Sequence, residues 1–304
     1  MAELIDIHKE FHLGNRFILD TAKHLAEMLP DSYRIVVKYG NVDTPKFNDD
    51  IKTIEFATSR ESHNVPISFY RDDIYAIFSN YFMLDKWGLP MSNPLAYPLP
   101  IGTFIDFDNA PEIKPLPERK YDFSFIGQIP HTGTRDCFKR NMENMLKEQK
   151  KKSGKQFKYF LQYTEGFGKG MSKEDYIDLL NDSKIVLCPT GAYSLETFRF
   201  FEAIKMGAIP LVEQLPKFWY YEKAPYFYGK WQRLDTILSN SLNFLNSEQC
   251  RSALQNVAQY NATVLDERVL ATHLINCLKA RDTMTDIDFK KQLENARKTA
   301  SKYD

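Results

Sequence analysis

The sequence predicts an α/β protein with two domains, and three observations carry that prediction. Residues 182–212, DSKIVLCPTGAYSLETFRFFEAIKMGAIPLV, read as a strand, a loop, a helix, a stop glycine and a second strand. Short apolar runs bounded by turn residues also recur through the first hundred residues, separated by short connections, as in a small α/β domain. Between residues 86 and 117 the prolines concentrate, at Pro90, Pro94, Pro98, Pro100, Pro111, Pro115 and Pro117. Such a stretch sustains neither a continuous helix nor a central strand, so it marks the boundary between two domains.

In chain order, a polar opening precedes a helix over 15–29 whose apolar stripe is Phe17, Ile18, Ala22, Leu25 and Met28. Strands follow at 34–39, at 51–57 and around 74–78, and a first domain spans 1–105 with 106–119 as linker. The second domain, 120–280, opens on the strand YDFSFI at 121–126. Gly127 and Gln128 turn the chain toward a helix through Arg135, Phe138, Met142 and Met145, and a strand follows at 157–163. The glycine-rich segment 166–170 lacks the G-K-[ST] ending of a Walker loop. Ser172, with Asp175 three residues on, caps a helix to 181. Ile185, Val186 and Leu187 then form a buried strand, Ser194 is the expected N-cap of a helix reaching Met206, Gly207 stops it, and 208–212 is a strand. The aromatic stretch 216–231 suits core packing or a cleft wall. Helices are expected at 236–246, 247–261 and 265–279, with a charged helix or tail over 281–304.

Bulk properties exclude several classes of function. Lys plus Arg and Asp plus Glu each total 40 in 304 residues, so no net field recruits nucleic acid or an anionic membrane. The four cysteines, Cys137, Cys188, Cys250 and Cys277, lack C-x-x-C spacing and read as reduced core residues. Neither a signal peptide nor an apolar run of about 18 residues is visible, so the expected protein is soluble and cytoplasmic with no membrane span.

The functional signal is polar. A helix that opens after Pro189-Thr190-Gly191, with Thr197 at its start, offers free amides and a positive dipole end to an anion. Arg199 and Glu202, three residues apart, share one helix face, where a guanidinium can grip a diphosphate and a carboxylate can accept from vicinal ribose hydroxyls. The plainer alternative is a helix salt bridge worth ~0.3–0.5 kcal/mol. Gly127 and Arg135 make a second phosphate-compatible turn, against which stands an ordinary turn with a surface arginine. Phe167, in the glycine-rich loop, is a candidate for stacking on a base.

The pattern S-K-I-V-L-C-P-x-G, then S-x-x-T-F-R-F-F-E-A, then G-A-I-P-L-V, resembles the nucleotide-sugar motif of exostosin-type glycosyltransferases (glycosyltransferase family 47 type). The match is close over 176–212 and looser from Thr58 onward. It implies a GT-B fold, two Rossmann-like domains facing across a cleft, in a soluble viral or bacterial member placed in the host cytoplasm if viral. The implied reaction transfers a sugar, with xylose as one option, from a UDP-sugar donor to an oligosaccharide or glycan acceptor, inverting, with no cofactor and no metal. The implied base lies in T-S-R-E-S-H at 58–63, which looks like the acidic S-D-E-x-H segment of the family although Arg60 replaces its first acid; Glu61 is the first choice and His63 the second. His12 and Asp73 are further candidates. Glu196 and Glu202 are six positions apart, which does not fit the seven-residue glutamate separation of related retaining enzymes. Asp106-Phe107-Asp108 matches the metal-binding D-x-D of GT-A enzymes, but in the proline-rich connection. A nucleotide-sugar epimerase on the same fold and a non-catalytic glycan-binding module are the alternatives.

Overall fold

The computed structural model describes residues 1–304 except 8–15, 40, 41, 43, 59–72, 81–95, 130–133, 152–155, 167, 168, 192, 193, 284–290 and 292–304. In chain order its elements are β1 (Glu3–Ile7), α1 (Arg16–Met28), β2 (Tyr33–Tyr39), β3 (Lys52–Thr58), β4 (Ile74–Ser79), β5 (Ala96–Pro98), β6 (Tyr121–Gln128), α2 (Thr134–Lys151), β7 (Tyr159–Thr164), α3 (Lys173–Asn181), β8 (Ser183–Leu187), α4 (Phe198–Lys205), β9 (Ile209–Val212), β10 (Phe227–Tyr228), α5 (Leu234–Leu245), α6 (Cys250–Thr263) and α7 (Glu267–Asp282). They form two compact units. Unit 1 comprises Met1–Phe104, Pro216–Glu222 and Ala262–Asp304; unit 2 comprises Ile105–Leu215 and Lys223–Asn261.

Unit 1 holds a five-stranded sheet in the order β1-β2-β3-β4-β5 with every pairing parallel. Ile35, Val36, Ile54, Phe56, Ala76, Ile77 and Phe78 are buried, so the middle strands read as near-continuous apolar runs. Two of its strands were not legible. The opening ELIDI pairs as an edge strand although its acids dilute the apolar pattern, and Ala96–Pro98 adds a short strand at the other edge, where a proline costs no ladder bond. Several buried polar groups inside this unit are matched to one another. Lys38 and Glu55, 1% and 0% exposed, pair at 2.7 Å, and Thr44 Oγ1 donates to Glu55 Oε2 at 2.5 Å. Arg34 donates to Glu3 at 2.7 Å and forks onto both oxygens of Asp49 at 3.1 and 2.7 Å. Helix α7 packs on α1.

Unit 2 also holds five parallel strands, in the order β10-β9-β8-β6-β7. Phe123, Phe125, Ile185, Leu187, Phe200, Phe201, Ile209 and Leu211 are fully or almost fully buried in it. Its connections follow the expected capping chemistry with one exception. Ser172 Oγ accepts the Asp175 amide at 3.0 Å and starts α3. At the end of α4, Gly207 has φ of 71°, its amide donates to Ile204 O at 2.9 Å and the Ala208 amide donates to Ala203 O at 2.9 Å, a Schellman closure requiring a left-handed residue. The exception is Ser194. Helix α4 begins at Phe198 with Thr197 in the extended N-cap position, while Ser194 Oγ instead accepts the Glu196 amide at 3.1 Å in the preceding loop.

The segments assigned from sequence to one domain at 120–280 are divided here. Residues 216–222 and the last helix belong to unit 1, while residues 106–119, read as a linker, belong to unit 2. The aromatic stretch is split accordingly. Trp219 stacks 4.2 Å from His273 and donates to Pro98 O within unit 1, whereas Trp231 meets Phe138 at 4.9 Å within unit 2. Among the described residues no helix is long and apolar enough to cross a membrane.

Candidate functional site

The strand order of unit 2 places a site before any side chain is considered. The chain runs from β6 to β7 on one side and then to β8 on the other. Ligands of open parallel sheets bind at such a switch point, outside the carboxyl ends of the strands. Gly127 and Gln128 end β6, and Cys188, Pro189, Thr190 and Gly191 follow β8, so the two expected turns meet there.

Two arginines hold this edge. Arg135, on the first turn of α2, donates from Nε to Thr190 O at 2.7 Å and from Nη1 to Gln128 O at 3.0 Å. It was expected as a phosphate ligand, but two of its nitrogens brace the loops after β6 and β8 against each other. Arg199, on the first turn of α4, donates from Nη2 to Ile126 O at 2.6 Å, and its carbon Cζ lies 4.7 Å from the centre of the Phe125 ring. Its Nε and Nη1 are buried and have no hydrogen-bond partner among the described residues. Gly127 sits beneath this guanidinium, with φ of 158°, and any Cβ there would collide with Arg199 Nη2. Gly191 packs as closely: a Cβ would fall 2.5 Å from Glu196 O.

Leaving two guanidinium donors buried and unmatched is costly, because desolvation of a charged donor is repaid only by an acceptor. Close to α4's N-terminus, whose first amides have no acceptor within the helix, the arrangement suits a dianionic group. The salt bridge considered for Arg199 and Glu202 is not what these side chains make: Arg199 bonds to Ile126, while Glu202, 4% exposed, accepts at Oε2 from the Tyr176 hydroxyl at 2.8 Å. Burial, and after it the Glu202 charge, pushes the Tyr176 phenol well above its ordinary range, so it stays a donor. Burial likewise pushes the Cys188 thiol up to about 12, leaving it inert beneath the turn.

Beside this edge, a cavity of about 410 Å³ opens past the end of β7, lined by Gln162, Tyr163, Thr164, Glu165, Lys169 and Gly170 among others. It adjoins β6, since a Cβ on Gly170 would lie 3.4 Å from Ile126 Cδ1. Phe167, expected to stack on a base, lies outside the described residues, as do Glu61, His63 and His12. Asp73 is described but belongs to unit 1, immediately before β4. Of the D-x-D pair, Asp106 is bonded by Lys173 Nζ at 2.5 Å. The structure therefore brings together Gly127, Arg135, Pro189, Thr190, Gly191, Thr197, Arg199 and Glu202 in one unit. Tyr176 was missed. Its spacing with Leu179 and Leu180 on α3 is that of a core stripe, and nothing local points 26 residues on to Glu202.

Residues 106–281 match the family model described as the RXYLT1 C-terminal domain. The chain belongs to that family. The family is xylosyltransferase-related and exostosin-like, which sets the chain among the glycosyltransferases and agrees with the resemblance read at 176–212. Its two parallel-sheet α/β units are the fold class expected from that resemblance. No curated protein matches the chain. Solved structures that it is similar to include TarM, at 13% identity and a TM-score of 0.47 over 85% of this chain and 57% of that one. A glycosyltransferase from Rickettsia africae ESF-5 has 8% identity and a TM-score of 0.48 over 93% of this chain and 98% of its own. AviGT4, a glycosyltransferase involved in avilamycin A biosynthesis, has 10% identity and a TM-score of 0.47 over 91% and 96%. The chain spans little more than half the length of TarM.

Proposed function

We propose that this glycosyltransferase moves a sugar from a UDP-sugar donor to a glycan acceptor, with inversion and without a metal, and that the sugar is a pentose such as xylose. The observation that carries the donor site is Arg199, whose Nε and Nη1 lie buried without a hydrogen-bond partner among the described residues, at the switch point of unit 2 and the start of α4. A diphosphate seated there accepts from both nitrogens and from the helix amides. As the glycosidic bond to the donor breaks, negative charge builds on the departing diphosphate, and these fixed donors stabilise it with no reorganisation. Glu202 takes the ribose hydroxyls. The cavity beyond β7 takes the base. The xylosyl choice follows the family description.

Inversion needs a base that removes the acceptor hydroxyl proton as the acceptor oxygen attacks the anomeric carbon. Glu61 is proposed for it, with His63 as the second choice, on the resemblance of the 58–63 segment.

Calorimetric titration with UDP, in the presence of EDTA and then of Mn²⁺, on wild type and Arg199→Ala tests the donor site. UDP binding in EDTA that Arg199→Ala weakens by ~1.5–3 kcal/mol is the expected result. Binding that requires Mn²⁺ returns attention to Asp106 and Asp108, and no nucleotide binding leaves the glycan-binding module as the reading. For the base, Glu61→Gln is expected to abolish transfer from UDP-xylose while UDP affinity is kept; undiminished turnover removes Glu61 from the mechanism.

A further inference from the structure

We infer that Tyr176 is a positioning residue for nucleotide recognition, holding the Glu202 carboxylate in the orientation in which it reads the two ribose hydroxyls of a nucleoside diphosphate. The inference rests on the donor-site reading above and adds to it a residue from another helix. Tyr176 stands on α3, whose start is fixed by the Ser172 cap and whose Leu179 and Leu180, three and four residues further on, are buried 6% and 1% exposed. That packing fixes which way the phenol points, because residues at these spacings share a helix face. From there its hydroxyl donates to Glu202 Oε2 at 2.8 Å.

The bond has three consequences. A phenol kept protonated by burial goes on donating to Glu202 Oε2 and does not become a second negative charge beside it. An ionised carboxylate has about four acceptor positions, and the bond from Tyr176 takes one of them and orients the group. The bond also fixes the plane of the carboxylate on a side chain whose terminal torsion is otherwise broad. Arg199, one turn earlier on α4, acts electrostatically on the same phenol, so the proposed ribose and diphosphate contacts are set from one small polar cluster.

The test is a cycle of titrations with UDP and with 2′,3′-dideoxy-UDP on wild type, Tyr176→Phe and Glu202→Gln. Wild type is expected to prefer UDP by about tenfold or more, the worth of hydrogen bonds to a charged acceptor. Tyr176→Phe is expected to lower UDP affinity roughly three- to tenfold, to leave dideoxy-UDP affinity unchanged, and so to collapse the preference toward that of Glu202→Gln. Equal weakening of both nucleotides means that Tyr176 serves packing, and the inference falls. It falls equally if the preference survives in Tyr176→Phe, or if UDP binds more tightly there, which makes the phenol a competitor of the ribose. A wild type that binds both nucleotides alike, with Arg199→Ala still weakening them, overturns the ribose role of Glu202 while the diphosphate site stands.

Discussion

Two arginines with buried nitrogens sit at opposite ends of the same parallel sheet in unit 2, and they differ in what surrounds them. Arg119, 5% exposed at the amino end, donates from Nε to Lys114 O at 3.0 Å, from Nη1 to Ser183 O at 2.7 Å and Leu180 O at 3.5 Å, and from Nη2 to Met206 O at 3.0 Å. All three of its nitrogens are used, and burial still pushes its pKa down to about 10. Arg199, at the carboxyl end, uses one nitrogen on Ile126 and keeps two buried without a hydrogen-bond partner among the described residues. A guanidinium that closes backbone carbonyls is part of the architecture, because those carbonyls lack other partners once buried. One that is desolvated and left with unmatched donors holds that cost for a ligand. The carboxyl end is also where the chain reverses direction across the sheet, so topology and electrostatics select the same edge.

The sharpest way to break this comparison is to remove both arginines in turn. Arg119→Met is expected to lower the free energy of unfolding by roughly 3–5 kcal/mol, since it orphans several buried carbonyls at once. Arg199→Leu is expected to change stability by under about 1 kcal/mol, or to raise it, because one hydrogen bond is lost while two buried, unmatched donors are replaced by an apolar group. Urea denaturation of the two variants, read at the same pH, checks the order; equal losses would mean that Arg199 is also architectural. The smallest effect concerns unit 1, where a matched charge lies at the surface. Hydrogen bonding from Arg34 holds the Asp49 carboxyl below its ordinary range. A depressed carboxylate contributes stability above its unfolded pKa of about 3.9, and that contribution is lost as pH falls through the lower folded value. Thermal midpoints of wild type and Asp49→Asn should therefore differ slightly at pH 6 and converge toward pH 2.

Much of this was legible in advance, for identifiable reasons. Strands β2, β3, β4, β6, β8 and β9 announce themselves because a parallel sheet buried on both faces demands unbroken apolar runs. Ser172 and Gly207 were readable as helix boundaries because capping and left-handed closure are local chemistry. Strands β1, β5 and β10 were missed because an edge strand needs only its partner's ladder, so its own residues carry little signal. Ser194 was misplaced because its oxygen had two local uses, a helix cap or a turn, and the crowded loop around Gly191 selects the turn. The domain boundaries shifted for another reason. Pro216–Glu222 and the last helix belong to unit 1 through packing partners hundreds of residues away, such as Lys52 with Asp282.

The sequence by itself determined the α/β class and the strand–turn–helix unit around Pro189 to Arg199, because both rest on spacing along the chain, and it carried the resemblance with which the family match over residues 106–281 agrees. Only the tertiary structure decided what each polar group there does. It turned Arg135 into a brace between Thr190 and Gln128, left Arg199 Nε and Nη1 without a hydrogen-bond partner among the described residues, and set the Tyr176 hydroxyl on Glu202. A hydrogen bond is fixed by a few tenths of an ångström and an angle, and groups 26 to 73 residues apart acquire such geometry only when strands and helices pack.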